Sequence, residues 1–114
     1  MQIQVHTNDH IQGGESLVHW VQEEAATRLA RFREHVTRVE VFLSDVDAGK
    51  SGGADKRCVI EARPNGRQSV AATAEAGKVA DAVAAALDKL LRSLGDDITR
   101  AKDRQGRESI RTAE

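Results

Sequence analysis

Hydrophobic residues alternate with polar ones in four short stretches of the chain, and they recur every three or four residues in two longer stretches. Alternation predicts strands with one buried face, and the longer period predicts amphipathic helices. The predicted strands cover residues 2–6, 36–44, 56–63 and 68–73, and the predicted helices cover residues 15–33 and 77–94. The order of elements is therefore β-α-β-β-β-α.

The second predicted helix has the clearest pattern in the chain. On a helical wheel its apolar residues fall within a sector about 80° wide. These residues are Val79, Val83, Leu87, Leu90 and Leu94. Another sector collects Lys78, Lys89 and Arg100, which are spaced eleven residues apart, with Arg92 beside them. One face of the helix is therefore predicted to be buried and another to be basic.

The strand residues predict a single sheet with one apolar face. Val39, Val41 and Leu43 point inward in the second strand, while Arg38, Glu40 and Phe42 point outward. Cys58, Ile60 and Ala62 point inward in the third strand, and Val70 and Ala72 in the fourth. Both helices are expected to cover the apolar face of one four-stranded sheet, which gives an α+β fold.

Turns and loops separate these elements. The sequence Pro64-Asn65-Gly66-Arg67 predicts a tight hairpin turn, because Asn-Gly readily adopts positive φ angles. Residues 45–55 are rich in glycine and predict a flexible loop. Gly95 is expected to end or weaken the second helix. We therefore expect a domain over residues 1–94, followed by residues 95–114 as a polar helix end and a disordered tail.

The composition excludes several classes of function but does not identify one. The chain has 114 residues, 17 basic against 18 acidic residues and a net charge of −1, so any polyanion must be met by a local patch. Three aromatic residues, Trp20, Phe32 and Phe42, argue against a platform that stacks several bases. The lone Cys58 excludes an internal disulfide, and no stretch is apolar enough for a membrane span. We expect a soluble protein of the cytoplasm.

No pattern of catalytic or metal-binding residues is evident. Gly49-Lys50-Ser51 lacks the earlier glycine and the following helix of a phosphate-binding loop. The four histidines are not paired at metal-ligand spacing within a helix. A small enzyme using His6, Asp9 and His10 stays an alternative, but the expectation is a protein that is not an enzyme and has no cofactor, no metal and no small-molecule substrate.

The basic residues carry the functional hypothesis. Arg28 and Arg31 lie on one flank of the first helix, and the second helix has its own basic sector, diluted by Asp81, Asp88 and Asp96. Such a surface binds RNA phosphates, or it is an ordinary solvated face of mixed charge. The pattern alone leaves both interpretations open.

Four segments over residues 1–94 form a recognisable series in this order: MQIQVHTND, TRLARF leading into HVTRVEVFLSD, DKRCVIEAR and DAVAAALDKLLRSL. Together they resemble a known family, the ribosome hibernation promoting factor and ribosome-associated inhibitor A family, also called sigma-54 modulation proteins. The chain resembles the short form of the family, whose fold is similar to a double-stranded-RNA-binding domain.

The resemblance implies a factor that binds the small ribosomal subunit and its 16S rRNA in the channel for mRNA and tRNA. Such a factor inhibits translation and preserves idle ribosomes in stress or stationary phase. Arg28, Arg31, Lys89 and Arg92 match the family's rRNA-facing residues, and Lys78 and Arg100 extend that set by the wheel argument. Off the ribosome we expect a monomer. The alternative is a protein-binding module of the same fold, which would use the exposed sheet face around Phe42.

Overall fold

A computed structural model describes residues 1–8, 11, 13–45 and 55–113, except for the side chains of residues 97, 98 and 100–113. The order β-α-β-β-β-α is confirmed, with one additional short 3₁₀ helix at Ala30–Phe32. The other elements are β1 (Gln2–Thr7), α1 (Gly14–Arg28), β2 (Val36–Asp45), β3 (Lys56–Pro64), β4 (Val70–Ala76) and α2 (Val79–Ala113). The predicted loop at 45–55 and the Gly49-Lys50-Ser51 motif lie mostly or wholly outside the described residues.

The four strands form one mixed sheet in the order β1-β2-β3-β4. β1 pairs with β2 in parallel, and the other two pairs are antiparallel. Because α1 connects two parallel strands, it runs back along the sheet, and α2 does the same after β4, packing on β3 and β4. The two helices therefore run in the same direction across one face of the sheet.

The core lies between this face and the helices. The inward positions predicted in β2 and β3 are all buried, as is Ala72 in β4, whereas Val70 is half-buried. The predicted apolar stripe of α2 is fully buried at Val83, Leu87, Leu90 and Leu94. The outward residues of β2 and β3 leave the opposite face of the sheet to solvent, which an antiparallel arrangement tolerates.

The first helix ends earlier than its periodicity predicts. α1 stops at Arg28, and the chain tightens into the 3₁₀ helix, where the N–H of Phe32 donates to the carbonyl of Leu29 at 2.9 Å. Side chains three residues apart nearly eclipse in such a turn. The tightening thus directs both Leu29 and Phe32 into the core, where their exposed fractions are 0% and 7%.

The second helix begins at Val79 rather than at residue 77, and it continues past Gly95 to Ala113. A glycine inside a helix costs only about 1 kcal/mol relative to alanine, and no proline follows Gly95 in the sequence. One glycine is therefore too weak a signal to end a helix here. The division into a domain of residues 1–94 and a separate tail stays a prediction.

The hairpin turn between β3 and β4 differs from the predicted geometry. Gly66 has a φ of 68°, and no residue other than glycine in the described part has a positive φ. The N–H of Arg67 donates to the carbonyl of Pro64 at 3.4 Å. A negative φ at Asn65 followed by a positive φ at Gly66 fits a type II turn, whereas the type I′ turn that Asn-Gly favours needs positive values at both residues. β4 accordingly begins at Val70, two residues later than predicted.

Replacing Gly66 by alanine tests this turn, with Gly95→Ala as the matched control. A Cβ at either position meets nothing within 4 Å, so only the backbone conformation differs. We expect G66A to lose about 1 kcal/mol, because L-residues are strained at positive φ, and G95A to gain about 0.5–1 kcal/mol through helix propensity. Thermal unfolding measures both variants, and a shift of the same sign in both would contradict the assignment of the turn.

Candidate nucleic-acid interface

The predicted basic residues lie on the helix side of the molecule, and we call Arg28, Arg31, Lys78, Lys89 and Arg92 together the helix surface. All are exposed except Arg28, which is half-buried. Arg28 is the last residue of α1, and Arg31 lies in the 3₁₀ helix that follows. Lys89 and Arg92 lie on α2, whereas Lys78 immediately precedes it. The side chain of Arg100 lies outside the described residues, so its place in this set stays a prediction.

An ion pair joins the two helices at the centre of the helix surface. The guanidinium of Arg28 donates to the carboxylate of Asp88 on α2. The exposed fractions of the two side chains are 30% and 63%, and ion pairs that are this accessible contribute about 0–1 kcal/mol. Asp88 therefore neutralises Arg28 but holds it only weakly, so an RNA phosphate could replace the carboxylate as its partner.

Lys89 has a role in the fold as well as a place on the helix surface. Its ammonium donates to the carbonyl of Thr73 in β4 at 2.9 Å. β4 is an edge strand, and a lysine that covers its carbonyl groups discourages pairing with another chain. An ammonium has three donors, so two remain for an anion.

Arg31 is held by an aromatic ring. Its guanidinium carbon lies 4.6 Å from the centroid of the Phe32 ring, whose side chain is almost completely buried. Stacking on a ring occupies the face of the guanidinium and leaves its edge donors available. Arg31 is therefore preorganised for an anion in a way that an arginine on a mobile side chain is not.

Lys78 and Arg92 are the members of the helix surface whose side chains have the fewest polar or aromatic contacts in the described part. Both are exposed, and neither forms an ion pair with another residue of the described part. Arg92 follows Asp88 by one helical turn, and Arg31 follows Arg28 by about one turn in a helix that runs in the same direction. Beyond the Arg28–Asp88 ion pair, Arg31 and Arg92 therefore lie toward the same end of the molecule, whereas Lys78 lies on the other side of the ion pair, before the first residue of α2.

The outer face of the sheet is crossed by ion pairs and by one aromatic contact. Arg57 donates to Glu75 through Nε and Nη2 at 2.9 and 2.7 Å, and Arg38 contacts both Glu40 and Gln4. The rings of His6 and Phe42 stack with centroids 4.9 Å apart. Asp9 and His10, which the enzyme alternative would need beside His6, lie outside the described residues.

Sequence reasoning did not consider the two arginines beside the β3–β4 turn. Arg63 and Arg67 flank Asn65-Gly66, and both line a concavity of about 470 Å³ at this turn. The sequence shows a cation on either side of the predicted turn. Their position indicates a surface only in the structure, where the turn packs against the start of β2.

The only cysteine, Cys58, is fully buried in the core. Burial raises the pKa of its thiol from 9.0 to about 12, so the group is a neutral thiol at physiological pH. A neutral buried thiol is inert as a nucleophile and as a metal ligand. Among the described residues, no three His, Cys, Asp or Glu side chains are grouped so that they could hold a metal ion.

The raised pKa predicts alkaline destabilisation. The thiol ionises near pH 9 in the unfolded chain but only near pH 12 in the folded one, so its contribution is complete below pH 9 and is lost as pH rises toward 12. The expected slope is about 1.4 kcal/mol per pH unit. Lys56, whose pKa is raised by hydrogen bonds from its ammonium to Asp45 and Asp55, keeps its own contribution in full below its ordinary value of 10.5 and begins to lose it only above that pH.

Unfolding midpoints measured between about pH 8 and 10.5 isolate the thiol. We expect Cys58→Ala to be less stable at neutral pH, because it leaves a small cavity, but to lose stability less steeply above pH 9 than the wild-type protein. Equal pH dependence in the two proteins would contradict this explanation.

The fold and the charged surface together define a small α+β domain that presents exposed cations on its helices. The family model described as sigma 54 modulation protein / S30EA ribosomal protein matches residues 3–105, and the chain belongs to this family. This match confirms the resemblance inferred from the sequence. The family is a ribosome-associated modulation family, which is not an enzymatic kind of family.

Two solved structures share the fold. A ribosomal subunit interface protein from Coxiella burnetii is 15% identical, with a TM-score of 0.67 over 87% of this chain and 99% of that chain. The N-terminal domain of Protein Y from Thermus thermophilus is 23% identical, with a TM-score of 0.60 over 79% of this chain and 91% of that chain. Among curated proteins, no match to this chain is found. Within the described residues, no helix combines the length and the apolar character that crossing a membrane requires.

Proposed function

We propose that this protein binds the small ribosomal subunit, occupies the channel for mRNA and tRNA, and so inhibits translation and preserves idle ribosomes under stress. The observation that carries the proposal is membership of the S30EA ribosomal protein family, which covers residues 3–105. The similar structure from Coxiella burnetii supports it, since that protein is a ribosomal subunit interface protein. A ribosome-bound factor acts in the cytoplasm.

The proposed mechanism is steric. The domain fills the channel, and the helix surface holds it against the rRNA backbone through phosphate contacts. Folded RNA is recognised mainly through its shape, its phosphates and its 2′-hydroxyl groups, so the protein needs few aromatic residues. A net charge of −1 is compatible with this mechanism, because phosphate contacts depend on the local cations of the helix surface, and its neighbour Asp88 is already paired with Arg28.

A second candidate is a protein-binding module that acts on a regulator instead of rRNA. Phe42 favours it, because its side chain is 37% exposed at the centre of the outer sheet face. His6 stacks on Phe42 from the neighbouring strand, and half-buried Val59 lies opposite it in register. An apolar row of this kind can bind a protein, and such binding would depend little on salt.

Sedimentation through sucrose gradients distinguishes the two candidates. The wild-type protein is mixed separately with purified small and large ribosomal subunits and is then followed by immunoblot. We expect it to sediment with small subunits at physiological salt and to dissociate at high salt, because phosphate contacts weaken as counterions become abundant. Failure to sediment with small subunits at low salt would contradict the proposed function and leave the second candidate.

A further inference from the structure

The turn between β3 and β4 forms an open concavity at the end of the sheet where β2 begins, and Arg63 occupies an exposed position on the outer face of β3. Its volume is about 470 Å³. Every residue that lines it is cationic or uncharged: Thr37, Arg63, Pro64, Asn65, Gly66, Arg67, Gln68 and Ser69. In a chain with more acidic than basic residues, a wall without a carboxylate is a departure from the average surface.

Three hydrogen bonds hold this concavity in place. The backbone N–H of Asn65 donates to the carbonyl of His35 at 2.8 Å, and its side-chain amide donates to the carbonyl of Glu34 at 2.9 Å. The hydroxyl of Thr37 donates to the carbonyl of Arg63 at 3.1 Å. The turn is therefore fixed to the segment that leads into β2, and its side chains start from a preorganised backbone.

Like charges are opposed at two neighbouring positions of the β2–β3 pair, Arg38 with Arg63 and Glu40 with Glu61. Arg38 and Arg63 are directly opposite each other in the β2–β3 pair, and like charges at opposed positions repel. Arg38 is compensated by Glu40 and bonded to Gln4 at 3.1 Å. The side chain of Arg63 is exposed and forms no ion pair with any residue of the described part. Glu61 lies two residues from Arg63 on the same face, but the two form no ion pair in the described part, so an external anion at Arg63 would relieve the repulsion between the two arginines.

We propose that Arg63, Asn65, Arg67, Gln68 and Ser69, the turn surface, bind the phosphodiester backbone of RNA on the side opposite the helix surface. The proposal rests on the proposed function for the identification of the polyanion as RNA. Two guanidinium groups with nearby amide and hydroxyl donors suit phosphate oxygens, which accept bidentate hydrogen bonds from arginine. The only apolar side chain in the lining is Pro64, which is buried, so the concavity offers no surface on which a base would stack.

This arrangement gives the domain two phosphate-binding surfaces on opposite sides of its sheet. RNA segments that flank the domain could then hold it from both sides, as in a narrow channel. The helix surface contacts one segment, and the turn surface contacts the other. Removing either surface should weaken binding and reduce its salt dependence, whereas removing a cation elsewhere on the sheet should not.

The test compares R63Q/R67Q with the wild-type protein and with R57Q. Arg57 is a matched control because it lies on the same strand and the same face as Arg63, is also exposed, and is paired with Glu75. The probes are purified small ribosomal subunits and a fluorescein-labelled RNA duplex of about 20 base pairs, long enough for an RNA-binding domain. For R63Q/R67Q we expect an association constant lower by about tenfold per lost contact near 0.1 M salt, and a log–log salt slope smaller by about two.

The outcomes separate this proposal from the proposed function. Loss of duplex binding in R63Q/R67Q, combined with no binding of small subunits by the wild-type protein, would support the turn surface and contradict the proposed function. Binding of both probes by R63Q/R67Q as strongly as by the wild-type protein would overturn the turn surface. An equal loss in R57Q, or no binding of either probe by any variant, would also overturn it. Unfolding midpoints confirm that the variants are folded.

Discussion

Charge reversal at Lys89 and Arg92 is expected to reduce binding to the small ribosomal subunit by at least about a hundredfold near 0.1 M salt. Each lost phosphate contact costs about tenfold at that salt concentration, and the two new carboxylates add repulsion. The slope of log K against log salt should also become smaller by about two. The measurement is co-sedimentation of K89E/R92E with small subunits over a series of salt concentrations.

Two further variants separate electrostatics from folding in this experiment. K89R/R92K exchanges the two cations and keeps both charges, so it should retain most of the binding. K78Q/R92Q removes two cations that form none of the ion pairs in the described part, and it avoids the hydrogen bond from Lys89 to Thr73. If K89E/R92E sediments with small subunits as the wild-type protein does at physiological salt, the helix surface is wrongly assigned.

The set of buried residues was the feature of this structure that the sequence predicted best. Alternation in β2 and β3 and helical spacing in α2 depend on the same requirement, that one face of each element be apolar. Tertiary packing reinforces that requirement, so Ile60, Leu87 and Leu90 are buried as their spacing predicts. Local signals were less decisive, since Gly95 does not end α2 and Asn65 does not adopt a positive φ.

The partners of the charged residues could not be predicted from spacing. Arg28 and Asp88 are 60 residues apart, and their contact exists only because α1 and α2 lie side by side. The bond from Lys89 to Thr73 likewise depends on the position of α2 beside an edge strand. A helical wheel identifies which residues are exposed on one helix, but it contains no information about the neighbouring element.

The contact between Arg28 and Asp88 also changes the meaning of an acidic residue beside the predicted site. In the sequence, Asp88 is only an acidic residue that lowers the positive charge of the basic sector of α2. In the structure, it occupies the guanidinium that an RNA phosphate would need. If the helix surface binds rRNA as proposed, Asp88 competes with the phosphate for Arg28, and the affinity depends on how readily that ion pair opens.

Asp88→Asn is accordingly expected to strengthen binding to the small subunit by up to about fivefold near 0.1 M salt, because Arg28 can then contact a phosphate without first opening an ion pair worth at most about 1 kcal/mol. The loss of stability should not exceed about 1 kcal/mol, since the ion pair is accessible to solvent. Asp81→Asn is the matched control, because Asp81 is exposed on the same helix but forms no ion pair within the described part. It removes the same charge without releasing an arginine, so its effect should be smaller.

A double-mutant cycle with Arg28→Gln tests the cause of this gain. In the wild-type background, R28Q should reduce binding to the small subunit only slightly, because Arg28 must leave its ion pair with Asp88 before it can contact a phosphate. In the D88N background, the same substitution should remove the gain that D88N produces, so the two effects should not be additive. If R28Q costs the same in both backgrounds, Asp88 repels RNA only through its charge and does not control Arg28. Binding constants for the four proteins, measured at one salt concentration with purified small subunits, distinguish these two explanations.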